Sequence, residues 1–171
     1  MTLRIIITVL FIAFFAAYPT SADAGDKKDG FRATDLPLPR FVSLSSGKVH
    51  SRTGPALRYP VRWMYTRRGL PVEIIREFDT WRKIRDVDGE VGWVHQSLIS
   101  GKRTVIIDNN TGVPMYNAPS NNAPVIAKVE PEVILDLDTC EENWCRLEAQ
   151  GFKGWVQRNY LWGIYENEEF D

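Results

Sequence analysis

The chain has 171 residues, 44% of them hydrophobic and 25% charged, with a formal net charge of −1. That length holds one medium domain or two small ones, and the near-neutral balance disfavours a nucleic-acid partner, which demands a strong basic excess. Ten prolines, twelve glycines and 12% aromatics, without a long amphipathic period, exclude a helical bundle and point to short strands joined by turns.

In chain order, Arg4 supplies a positive charge, residues 5–18 form an apolar run, and Ala22 and Ala24 give an A-x-A pattern. This is the arrangement of a secretory signal peptide over 1–24, cleaved after Ala24. The competing reading is a retained anchor, but the run is short against the about 20 residues of a spanning helix. The mature protein is therefore expected to be exported, periplasmic or extracellular, with no stable membrane span. Residues 25–40 mix charge with two prolines and read as an extended leader.

A first folded unit is expected over 41–100. Gly54-Pro55 and Tyr59-Pro60 force a non-helical loop, after which Val61, Trp63 and Tyr65 share one face of a strand. Arg67, Arg68 and Gly69 turn the chain into a strand pair around Asp79-Thr80, with Trp81 on its second member. Asp88-Gly89 turns again into Gly92-Trp93-Val94, and His95 to Leu98 read as a single helical turn.

The pattern then returns, Trp144 lying 63 residues after Trp81 and Trp155 62 after Trp93. An internal repeat implies two copies of one small module. The second is expected over 101–165, opening on a strand over 101–108 that links to, or is shared with, the first. An acidic tail, 166–171, is expected to be disordered at its tip. The hairpin turn of this copy reads as lengthened and carries the chain's two cysteines, Cys140 and Cys145. If their flanks pair antiparallel the two meet at disulfide distance, and an oxidising compartment would close the bridge. A redox or metal pair competes, but the spacing is not C-x-x-C and no His or further Cys lies near to complete a zinc set. Trp81, Trp93, Trp144 and Trp155 are expected in the cores, as large apolar payload for small barrels.

Taken together, Val49, Ser51-Arg52, Gly54-Pro55, Tyr59-Pro60-Val61, Gly69, Pro71-Val72, Trp81, Lys83-Ile84 and Gly92-Trp93-Val94 resemble the bacterial SH3-like (SH3b) domain. The second copy resembles it through Ala118-Pro119, Ala123-Pro124-Val125, Trp144 to Leu147 and Gly154-Trp155-Val156. The resemblance implies an all-β chain of two tandem small five-stranded barrels, in a family whose exported members act as targeting or binding modules at the cell wall. The second copy lacks the Arg-x-Gly-Pro run, so a groove built by that loop is expected in the first copy only.

No catalytic constellation is apparent. The only histidines, His50 and His95, both fall in the first copy, and neighbouring His50 and Ser51 point to opposite faces of a strand. The carboxylates gather at turns such as Asp86 and Asp88, where solvated turn chemistry accounts for them. No phosphate loop, dinucleotide fingerprint or metal motif appears, so neither cofactor nor metal is expected. Binding has better candidates. Residues 48–100 hold ten Lys or Arg against six Asp or Glu, whereas 101–165 hold six against eight. Arg52, Arg58, Tyr59, Arg62, Trp63, Tyr65, Arg67 and Arg68 could form a basic, aromatic-lined face for a carboxylate-bearing ligand. Alternatively, the opposite charges of the halves serve only to hold them together. The expected function is non-enzymatic binding of peptidoglycan or its stem peptide, with a protein-protein adaptor in the envelope as the alternative.

Overall fold

The computed structural model describes residues 33–170; the segment 1–24 expected to be a signal peptide, the first half of the expected leader and Asp171 lie outside the described residues. The first sheet comprises β1 (Arg40–Leu44), β2 (Val49–Arg52), β3 (Val61–Tyr65), β4 (Pro71–Phe78), β5 (Trp81–Arg85), β6 (Val91–His95) and β7 (Ile99–Ser100). The second comprises β8 (Thr104–Ile107), β9 (Val113–Tyr116), β10 (Val125–Val129), β11 (Ile134–Glu141), β12 (Trp144–Ala149), β13 (Phe152–Gln157) and β14 (Leu161–Trp162). The orders β3-β2-β6-β5-β4-β1-β7 and β10-β9-β13-β12-β11-β8-β14 match element for element. Each copy is thus an SH3-like barrel with seven strands rather than the five expected. A 3-10 turn before each last strand, Gln96–Leu98 and Arg158–Tyr160, also recurs.

Local chemistry explains the shared path. Pro71 opens β4, where its missing N–H breaks no ladder. A Cβ on Gly92 would lie 1.9 Å from Ser51 Oγ, and one on Gly154 2.6 Å from Met115 Cγ, so each β6-type strand can press on its neighbour only through glycine. The hairpin turns are Asp79-Thr80 and Glu142-Asn143, with φ of 47° and 46° at their first residues. The second hairpin is therefore not lengthened, and its cysteines stand on the strands.

Each barrel encloses its own apolar cluster, Val49, Val72, Ile74, Ile84 and Val94 at the centre of the first and Val113, Leu135, Leu147 and Val156 at that of the second. Of the shared tryptophans only Trp81 is buried as expected, at 8% exposure and outside these clusters; Trp93, Trp144 and Trp155 are not core residues, which corrects the expectation for them. Strand alternation turns Val94 and Ile84 inward and therefore Trp93, Trp81 and Lys83 outward. Trp81 is covered on that outer side by His95, ring centroids 5.5 Å apart, and Trp144 by Tyr116 at the same distance. Trp93, Trp144 and Trp155 are half-buried. Branched aliphatics, with Tyr65 and Met115, fill the interiors instead.

β1 and β8 break the alternation, since Phe41 to Leu44 and all of β8 are buried. Both faces are covered because the barrels pack on each other there. Phe41 meets Trp162 at 5.0 Å and Tyr165 at 4.7 Å, the Tyr165 hydroxyl donates to Glu73 at 2.9 Å, and Thr104 Oγ1 donates to the Gly69 carbonyl at 2.7 Å. β8 pairs only with β11 and β14, yet Ile106 belongs to the apolar cluster of the first barrel. The strand expected to link or be shared therefore gives its backbone to one barrel and a side chain to the other.

One rung differs in kind between the copies. Glu77 pairs across from Arg82, and at the matching rung Cys140 pairs across from Cys145, joined as a disulfide with Cα atoms 4.1 Å apart. Glu77 is fully shielded from solvent, 3.3 Å from Arg82, 2.5 Å from Arg40, and accepts from the N–H and hydroxyl of Thr34 in the leader. The tail is likewise held to the second barrel as far as Phe170, while its tip, Asp171, lies outside the described residues. Phe170 exchanges backbone hydrogen bonds with Cys140, and Glu168 binds Arg103 at 2.5 Å.

Candidate functional site

The eight residues expected to form one basic face separate into four environments. Arg52 donates from Nη1 to the carbonyls of Leu57, at 3.1 Å, and Tyr59, at 2.8 Å, and so holds the loop between β2 and β3 closed. The Tyr59 ring lies over Gly54, where a Cβ would come within 2.6 Å of it, and Arg58 lies 5.1 Å from the ring centroid. In the second copy the same backbone hydrogen bonds recur, with Ala118 and Ala123 in place of Gly54 and Tyr59. Arg62 turns to Glu90 at 3.4 Å, both half-exposed. Arg68 enters a separate cleft on the far side of its turn.

Trp63, Tyr65 and Arg67 do come together, in a cleft of 340 Å³ between the barrels. β3 forms one wall. It is the last strand of its sheet, its first four residues are exposed, and Trp63 is 52% exposed. Leu70, Val87, Ile106 and Ile107 make the apolar part of the lining, while Asp86, Asp88, Asp108 and Glu132 bring carboxylates from turns of both barrels.

These groups differ in freedom. Tyr65, only 5% exposed, donates to Asp86 at 2.9 Å, and Asp86 also accepts from the N–H groups of Asp88 and Glu90. Burial first, and then the Asp86 carboxylate, push the Tyr65 phenol far above its ordinary range, so it remains a donor. That pair is architecture. Arg67 donates to the Glu132 carbonyl and lies 3.9 Å from its carboxylate, with the Arg67 side chain about half-exposed and that of Glu132 largely in solvent. Asp88 and Asp108 are exposed.

The cleft accordingly presents an open indole, one guanidinium and several carboxylates, and its rim is acidic on balance. It suits a ligand carrying both an amine and a carboxylate on an apolar body. Sequence reasoning did not find Asp86, Asp88, Asp108 or Glu132, because turn carboxylates resemble one another in sequence and these meet only when the copies pack. Among the described residues no group of three or more His, Cys, Asp or Glu is placed to hold a metal, and no helix is long and apolar enough to cross a membrane. Ser51 is buried and faces the core, on the opposite side of β2 from His50.

A family model described as bacterial SH3 domain matches the chain twice, over residues 46–101 and 109–163. No curated protein sequence matches it. Two solved structures, NlpC2 and NlpC1 from Trichomonas vaginalis, are similar at 14% identity, with TM-scores of 0.35 and 0.32. They cover 78% and 77% of this chain, which spans about half the length of each, 51% and 48%.

Proposed function

The chain belongs to the bacterial SH3 domain family, in two tandem copies, and from that premise we propose that it is a non-enzymatic binding module of the cell envelope. Its proposed ligand is peptidoglycan, recognised through the stem peptide in the cleft between the barrels. The observation that carries this reading is the joining, in one 340 Å³ space, of the exposed Trp63, the Arg67 guanidinium and the carboxylates of Asp88, Asp108 and Glu132. A stem peptide offers the complement: carboxylates for Arg67, an amine for the acidic rim, and an apolar backbone for the indole. The disulfide and the signal-like segment over 1–24 support export.

The test is cosedimentation of the mature protein with purified sacculi. Trp63→Ala should weaken binding by about thirtyfold, the effect of losing a central aromatic anchor, and Arg67→Ala should weaken it less. Equal retention of parent and Trp63→Ala protein would end this reading. A second reading, an adaptor for an envelope protein, is favoured by β3 itself: Val61 and Met64 are 46% and 47% exposed on an edge strand, and a partner strand could add there. Capture of a protein partner that survives muramidase treatment, and is lost in Met64→Lys, would support it.

A further inference from the structure

On the other side of the same turn lies a second cleft between the barrels, of 450 Å³, lined by Ser43, Ser45, Arg68, Ser100, Lys102 and Thr104. We propose that it is a separate site for an anionic group, a carboxylate or a phosphate, with Arg68 as its principal contact.

The argument starts from the repeat. Ser43 pairs with Pro71 in β1–β4, and its counterpart Ile106 pairs with Ile134 in β8–β11. Gly69 and Glu132 are counterparts too, both with positive φ, 79° and 59°. The first barrel's contribution to this cleft therefore occupies the structural position that the second barrel contributes to the Trp63 cleft. At that position the second barrel carries Asp108, Pro131 and Glu132, whereas the first carries Ser45, Arg68 and Gly69. One surface, duplicated, has become acid-rimmed on one side and basic with hydroxyls on the other.

The polar groups here suit an anion. Lys102 is held by Asp136 at 2.7 Å, which cancels both charges. Arg68 is exposed and, among the described residues, forms no ion pair, so it sets the sign of the cleft. Thr104 is committed to the Gly69 carbonyl and does not add a free donor. Ser43, only 2% exposed, places a hydroxyl where the other copy has isoleucine; Ser100 accepts from the Lys102 N–H at 3.1 Å and keeps its own proton to donate, while the Ser45 hydroxyl is turned to the Ser97 carbonyl at 3.4 Å. A guanidinium with hydroxyl donors recognises a planar carboxylate or a phosphate oxygen pair by charge-assisted hydrogen bonds.

The test is amide chemical-shift titration of the mature protein with inorganic phosphate in one series and N-acetyl-alanyl-alanine in another. Saturable shifts confined to Ser43, Ser45, Arg68 and Ser100 are expected with at least one probe, and which probe saturates identifies the source of the anion. Arg68→Ala should weaken that binding about tenfold, and Arg67→Ala, in the other cleft, should leave it within a factor of two. No saturation with either probe overturns the site, as does equal weakening by Arg58→Ala, which would mark a diffuse charge effect. Unchanged Tm in Arg68→Ala confirms that the loss is not one of folding. Because sacculus binding is assigned to Trp63, failure of either site leaves the other standing.

Discussion

At the scale of single residues, the tightest constraint lies where β6 crosses β2. Gly92→Ala would set its methyl 1.9 Å from Ser51 Oγ and 3.3 Å from the Arg52 carbonyl. It should destabilise the protein by about 1–3 kcal/mol, as overpacking does, and Ser51→Ala in the same chain should restore part of that; urea denaturation of the two variants measures the coupling. Glu77 gives a second residue-level prediction. Burial opposes its charge, but hydrogen bonds from Arg40 and Thr34 outweigh burial and hold its carboxyl below the ordinary range. A carboxyl depressed in the folded state stabilises fully above its unfolded value, about 4.3, and that stability is lost as pH falls through the folded value. Tm should therefore drop as the pH is lowered past about 4, and Glu77→Gln should flatten that drop. Glu77→Ala at neutral pH leaves Arg82 buried beside Arg40 and should cost about 3–5 kcal/mol, read by urea denaturation. The inward or outward sense of the tryptophans was illegible for a residue-scale reason. Alternation tells which residues share a face, while only Val94 and Ile84 packing together tells which face is inside.

At the scale of elements, turns and strand pairs were largely legible, because Asp79-Thr80, Gly89 and the Gly-Trp-Val runs each carry local instructions. β1 and β8 were less so, since burial on both faces erases their period and the second covering face comes from the other barrel. The contacts of the tail were not legible because a short acidic sequence looks solvated; they depend on Arg103 and Arg158, both from elsewhere in the chain. Glu168 meets Arg103, while Arg158 donates from Nη1 to the carbonyls of Tyr165 at 2.7 Å and Glu168 at 2.6 Å. Burial works against the Glu168 charge, yet the Arg103 hydrogen bond prevails and holds the carboxyl below its usual range. Ending the chain after Ile164 should therefore take Glu168 from Arg103, leaving it only the Gly163 carbonyl as an acceptor among the described residues, and both carbonyl partners from Arg158 Nη1, and lower Tm by several degrees in differential scanning calorimetry. Exchange of both Cys140 and Cys145 for serine should cost about 2 kcal/mol in the same experiment, since the loop closed is short.

At the scale of the whole molecule, the two barrels behave as one body rather than beads on a linker. Ile106 belongs to the neighbouring core, and Phe41 sits between Trp162 and Tyr165. Thermal unfolding should accordingly appear as a single transition, with tryptophan fluorescence and far-ultraviolet dichroism coincident. Ile106→Ala should lower stability by about 2–5 kcal/mol and separate the two probes if it uncouples the barrels. The sequence announced the duplication through its spacings, and with it the fold. It could not announce the clefts, because each is built from residues about 20 to 90 positions apart whose meeting depends on how the copies pack, and the split of Arg67 and Arg68 between two clefts is invisible in a run of adjacent arginines.

The matching rungs Glu77–Arg82 and Cys140–Cys145 bear on how such a molecule fails. The two hairpins share their geometry and are fastened by different chemistry, one released by protons and the other by electrons. Acid would loosen the first fastening and leave the second intact, and a thiol reductant would do the reverse. Neither insult alone undoes both, so one hairpin stays fastened under either.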